Sequence, residues 1–127
     1  MSNSFTSLGL SKALLDVITE QNYAAPYPVQ KEVIPAVLKG RDLLGIAPTG
    51  SGKTAGFVLP ILERIQHKTS ANSRYIKVLV LVPTRELSVQ VGDVFRLFAE
   101  RLPQRVKTLS VYGGVSVNPQ MMKIQGD

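Results

Sequence analysis

The sequence predicts an α/β fold in which a parallel sheet is flanked by helices. Three observations carry that expectation. A glycine-rich run, Ala47-Pro48-Thr49-Gly50-Ser51-Gly52-Lys53-Thr54, directly follows the apolar segment Leu43-Leu44-Gly45-Ile46 and precedes a helical pattern. A second apolar run, Ile76-Lys77-Val78-Leu79-Val80-Leu81-Val82, reads as a strand covered on both faces. Strand and helix signals alternate along the chain, which implies right-handed crossovers between parallel strands.

Residues 11–21 place Leu14, Leu15 and Ile18 on one side behind Ser11 as N-cap, the pattern of an amphipathic helix. Residues 22–27 break it. Pro28 suits the first turn of a second helix reaching about Lys39, with Val33, Ile34, Val37 and Leu38 on its buried side and Pro35 expected to bend or divide it. After the turn Gly40-Arg41-Asp42, residues 42–46 form a short buried strand, and a helix runs from about Gly52 to His67. Residues 69–74 are polar and read as a surface loop. Pro83 and Thr84 end the strand 76–82, and a helix from Arg85 to about Arg101 carries Leu87, Val91, Val94, Phe95 and Phe98 as core. Residues 106–111 are a third strand, Gly113-Gly114 a loop and residues 118–124 a short helix.

The 127 residues amount to one domain at most, short for a complete nucleotide-hydrolysing unit. Hydrophobic residues at 44% and charged residues at 19% place the chain among ordinary globular sequences. No apolar run approaches a membrane span, and the amino terminus lacks the marks of a secretory signal, so a cytoplasmic protein is expected. Without cysteine, and with His67 as the lone histidine, thiolate and histidine-rich metal sites are excluded. A net charge of +6 suits a polyanionic partner or a solubilising surface equally.

The glycine-rich run reads as a phosphate-binding loop. Small residues let successive backbone N–H groups curl around phosphate oxygens, and Gly50 and Gly52 supply that freedom. Lys53 adds a point charge for the β and γ phosphates, Thr54 offers a hydroxyl to Mg²⁺, and the following helix contributes its N-terminal partial charge. The general pattern has glycine at the first position, where this chain has Ala47.

Hydrolysis also needs a carboxylate for Mg²⁺, usually at a strand end. None of the apolar strands ends in an acidic pair, so the chain holds the binding half of such a site without its catalytic half. Gln30 has an amide that matches the N6 donor and N7 acceptor of adenine. For Gln21, Gln66, Gln90, Gln104, Gln120 and Gln125 solvent exposure is the expectation. Phe5 and Tyr23 are candidates for stacking on a base or for packing. Arg85 and Gly113-Gly114 fall at the carboxyl ends of adjacent strands, where open sheets bind ligands, and suit nucleic-acid phosphates as well as an ordinary helix start and turn.

Together these residues resemble the DEAD-box RNA helicases, over the whole chain. The loop 47–54 is similar to that family's motif I, in which alanine commonly stands first. Asn22-Tyr23-Ala24-Ala25-Pro26-Tyr27-Pro28-Val29-Gln30 is similar to its Q motif, with Asn22 in place of a common glycine and Phe5 at the spacing of its isolated upstream aromatic. Pro83-Thr84-Arg85-Glu86-Leu87 resembles motif Ia and Gly113-Gly114 the glycine doublet, and residues 115–122 look like the bacterial RhlE-type branch.

The resemblance implies a P-loop NTPase of RecA-like fold, incomplete at the C-terminal end. Residues 1–40 form its Q-motif region and residues 41–127 its P-loop βα units. ATP and Mg²⁺ are the implied cofactors. Phe5, Tyr23, Gln30, Ala47, Thr49, Gly50, Ser51, Gly52, Lys53 and Thr54 face the nucleotide, with Lys53 and Thr54 catalytic. Pro83, Thr84, Arg85, Gly113 and Gly114 contact RNA. The implied parent enzyme couples RNA-stimulated ATP hydrolysis to local duplex unwinding with a second RecA-like domain. The alternative is a non-catalytic nucleotide- or RNA-binding module, and the chain alone is expected to be marginally stable or self-associating.

Overall fold

The computed structural model of the chain describes residues 4–50, 52–68 and 75–125. A single 3-10 turn, Phe5–Leu8, leads into α1 (Lys12–Glu20) and α2 (Pro28–Leu38), and after the glycine-rich loop come α3 (Lys53–Lys68), α4 (Arg85–Ala99) and α5 (Val117–Gln125). All four expected long helices and the short one form close to their expected bounds.

The core is the common face of α1 to α4. In α3 the buried residues Ala55, Val58, Leu59 and Leu62 recur every three or four positions, making one stripe along the helix. That stripe lies between α2, which contributes Ile34, and α4, which contributes Val91, Phe95 and Phe98. Leu14, Val17 and Ile18 of α1 close the same cluster. Side-chain bonds to backbone lock the helices in register. Buried Glu63 of α3 accepts the Ser11 N–H at 3.0 Å, placing a carboxylate at the start of α1, where the Ser11 hydroxyl itself makes no capping bond. Its other oxygen lies 2.8 Å from Nε2 of exposed His67. Arg64 donates to the Val37 carbonyl near the end of α2 at 3.2 Å.

One expectation is narrowed and one corrected. Of the two outcomes expected at Pro35, a bend or a division, division does not occur, since α2 continues to Leu38. The helix tolerates the lost N–H because the neighbouring Ile34 is fully buried, in a helix packed on α3. The larger correction concerns the sheet: residues 42–46, 76–82 and 106–111 are not strands, and the described residues contain none. Nor is the run 76–82 covered on both faces. Val78, Val80 and Val82 are partly buried, Val80 and Val82 against the core, while Leu79 and Leu81 between them are 78% and 85% exposed. Leu44 and Ile46 are bare as well. Strand geometry is held by ladder bonds to neighbours and by cover on its faces, and here one side alone meets the helices.

Candidate nucleotide and nucleic-acid site

The glycine-rich loop owes its shape to two left-handed glycines, Gly50 at φ 82° and Gly52 at φ 81°. Gly52 is doubly constrained. A Cβ there would fall 2.4 Å from Gln30 Nε2 and 2.7 Å from Tyr27 Cδ2, whereas one on Gly50 would meet nothing within 4 Å. Lys53 opens α3 and donates from Nζ to the Ala47 carbonyl at 2.6 Å, spanning the loop. Thr54 follows on the first turn, half-buried, while in the loop Ala47 is half-buried and Thr49 exposed. Ser51, expected among the phosphate-facing residues, lies outside the described residues.

Gln30 ties this loop to the segment before α2. Pro28 takes the first helical position of α2 with Tyr27 as N-cap, which puts Gln30 on the first turn. Its side chain is 1% exposed, its Oε1 accepts the Tyr27 N–H at 2.9 Å, and its Nε2 donates to the Gly52 carbonyl at 3.0 Å. Among the described residues these two bonds use one amide hydrogen and one lone pair of that side chain. Phe5 is a packing group here, buried in the core with its ring 6.3 Å from that of Tyr23. Tyr23 makes an edge contact with Phe98 at 6.0 Å and keeps part of its surface open.

A second group of expected site residues gathers at the start of α4. Thr84 caps the helix, its Oγ1 accepting the Leu87 N–H at 3.1 Å. Pro83 and Arg85 are exposed beside it, and the Arg85 guanidinium lies 4.5 Å above the ring of Tyr112, the residue before the glycine doublet. Gly114 has φ 80°, and neither Gly113 nor Gly114 has any neighbour within 4 Å of an added Cβ. The backbone there is open. Segment 106–111 reaches α4 because Gly92 leaves room: a Cβ on Gly92 would fall 2.3 Å from Ser110 Oγ, which donates to the Ser88 carbonyl at 2.9 Å.

The expectation of exposure fails for three glutamines: Gln120 is buried, and Gln66 and Gln104 are half-buried. Gln66 brackets the backbone of Gln104, donating to its carbonyl at 3.1 Å and accepting its N–H at 3.0 Å, and Gln120 does the same to Tyr112. The partner of Gln66 lies 38 residues away along the chain, whereas that of Gln120 lies eight residues before it, and no residue pattern singles out either glutamine for its clamp. As for metal, the described residues contain no group of three or more His, Cys, Asp or Glu that could hold an ion.

The model of the DEAD/DEAH box helicase family matches residues 27–126. The chain belongs to that family. As a DEAD/DEAH box helicase sequence it is 44% identical over 118 residues to the DEAD-box ATP-dependent RNA helicase RhpA of Helicobacter pylori, covering 92% of this chain and 22% of that protein. It is 39% identical to the ATP-dependent RNA helicase DeaD of Escherichia coli (96% and 19% covered) and 40% identical to the ATP-dependent RNA helicase dbp10 of Schizosaccharomyces pombe (98% and 14% covered). Identities so close together do not assign it to a branch. Among solved structures, the RNA helicase Prp28 of Chaetomium thermophilum bound to ADP superposes with a TM-score of 0.81 at 39% identity, covering 94% of this chain and 29% of that one. A DEAD box protein from Methanococcus jannaschii gives 0.76 at 34% identity, with 95% and 32% covered. The chain thus spans about a fifth of the bacterial helicases it matches. Residues 47–54, Gln30, Arg85 and Gly113-Gly114 fall inside the family match, and Phe5 and Tyr23 precede it.

Proposed function

We propose that the chain is the nucleotide-binding front part of an ATP-dependent RNA helicase, taking ATP at the loop 47–54 and RNA backbone at Arg85 and Gly113-Gly114. The observation that carries the proposal is the bond from Gln30 to Gly52, which puts an adenine-matching amide against the phosphate loop. The loop suits a triphosphate: two left-handed glycines open its backbone, and Lys53 sits at a helix N-terminus. Bound ATP would bring the scissile phosphate and Mg²⁺ its charge neutralisation. Of the chain's own residues, Lys53 would exchange the Ala47 carbonyl for phosphate and Thr54 would turn its hydroxyl to the metal. Relatives named as ATP-dependent RNA helicases, and a structural relative solved with ADP, support this reading.

The test is titration of a fluorescent adenine nucleotide. Lys53→Ala is expected to weaken binding at least tenfold, and Gln30→Ala to remove the preference for adenine over guanine nucleotides. Undiminished binding by the Lys53 variant would sink the assignment. In a longer protein carrying this chain, RNA-stimulated ATP hydrolysis should disappear with the same substitution.

A second reading applies to the chain by itself: a module that binds nucleotide or RNA without turnover. The absence of a metal-holding acidic cluster among the described residues favours it. Hydrolysis by the isolated chain that Lys53→Ala abolishes would refute it. We also infer that segments 42–46, 76–82 and 106–111 pair as a parallel RecA-like sheet once the remainder of a longer protein is present, and that the chain alone self-associates through their bare side.

A further inference from the structure

Helix α5 is built inside out. Val117, Met121, Met122 and Ile124 are exposed, and the one buried side chain among its described residues is the amide of Gln120, 9% exposed. An amide is buried only where its hydrogen bonds are replaced, and Gln120 makes three. Its Oε1 accepts the Tyr112 N–H at 2.9 Å, and its Nε2 donates to the carbonyls of Tyr112 at 3.1 Å and Ser116 at 3.2 Å. One side chain therefore grips both ends of residues 112–116 and closes the glycine-containing loop, whose two adjacent glycines would otherwise leave it the most conformational freedom. The same grip fixes Tyr112, on whose ring the Arg85 guanidinium rests.

We propose that Gln120 is a positioning residue for single-stranded RNA, holding the open Gly113-Gly114 backbone beside Arg85 before the ligand arrives. The proposal rests on the reading of Arg85 and the glycine doublet as backbone contacts. Its physical content is pre-organisation: a loop already closed loses less freedom on binding. Gln66 supplies a matched control, because it brackets Gln104 with the same donor and acceptor pair on a loop away from Arg85.

The experiment measures affinity for a short fluorescein-labelled oligouridylate at fixed salt, alongside affinity for a fluorescent adenine nucleotide, in the chain and in its Gln120→Met, Gln66→Met and Arg85→Ala variants. Gln120→Met is expected to weaken RNA binding about tenfold, the size of effect that loss of a few buried hydrogen bonds supports, with nucleotide affinity unchanged. Gln66→Met should lower the unfolding midpoint and leave RNA affinity alone. Equal losses in both glutamine variants, or none in Gln120→Met while Arg85→Ala weakens binding, would overturn the positioning role and leave the RNA reading standing. No RNA binding by the unsubstituted chain would overturn both. Amide exchange on the unsubstituted chain needs no variant to fold: the Tyr112 N–H should be protected without RNA, and exchange at the rate of an open loop would refute the proposal.

Discussion

Asn22 sits at φ 59°, the one left-handed position that is not glycine among the described residues. It ends α1 in a double-bonded turn, its own N–H donating to the Thr19 carbonyl at 3.0 Å and the Tyr23 N–H to the Ile18 carbonyl at 3.1 Å. Asparagine enters this region at lower cost than other side chains, which explains why it can stand where the family commonly has glycine. Asn22→Gly should therefore be neutral or slightly stabilising, and Asn22→Ala should cost about 1 kcal/mol, read from urea unfolding midpoints. An alanine variant as stable as the glycine one would show that the backbone relaxes out of the left-handed region. Gly52 obeys a harder constraint, since space and φ both exclude a side chain there. Motif spacing singles out Gln30 as an adenine-facing candidate, but its bonds to the Tyr27 N–H and the Gly52 carbonyl are not written in that spacing, and neither are the clamps made by Gln66, whose partner lies 38 residues away, and Gln120, whose partners lie within eight.

At the scale of elements, the helices form where apolar spacing, caps and prolines place them. The stripe of α3 and the buried face of α4 follow from residues three and four apart. Thr84 ends the irregular segment and starts α4 with one side-chain bond, so it positions Arg85 at the helix entrance. Thr84→Ala is expected to cost about 1 kcal/mol of stability, while Thr84→Ser retains most of it. Thermal unfolding of the pair checks this, and equal losses would mean that the hydroxyl is not the cap. The start of α1 was less legible: Ser11 is the N-cap, yet its N–H is satisfied by Glu63, a residue 52 positions away in sequence.

For the whole molecule, the uneven cover of 76–82 has a direct consequence. Leu79, Leu81, Leu44 and Ile46 leave apolar surface in water, and a net charge of +6 opposes but does not cover it. The isolated chain is expected to sediment as concentration-dependent oligomers, and Leu79→Lys with Leu81→Lys should shift it toward monomer without loss of helix content. A monomer at all concentrations, unchanged by the double substitution, would refute association through this side. By itself the sequence determined the helices, the glycine loop with its lysine, and the motifs that place the chain in its family. These depend on spacing and residue type within a few turns of chain. Only the tertiary structure decided that the expected strands do not form, with 76–82 covered on one side and 42–46 exposed, and that Gln66 and Gln120 are clamps. Sheet pairing and the Gln66 clamp need partners from distant parts of a chain, of which local pattern carries no record, and the Gln120 clamp, though its partners lie within eight residues, depends on a loop path that residue type does not specify.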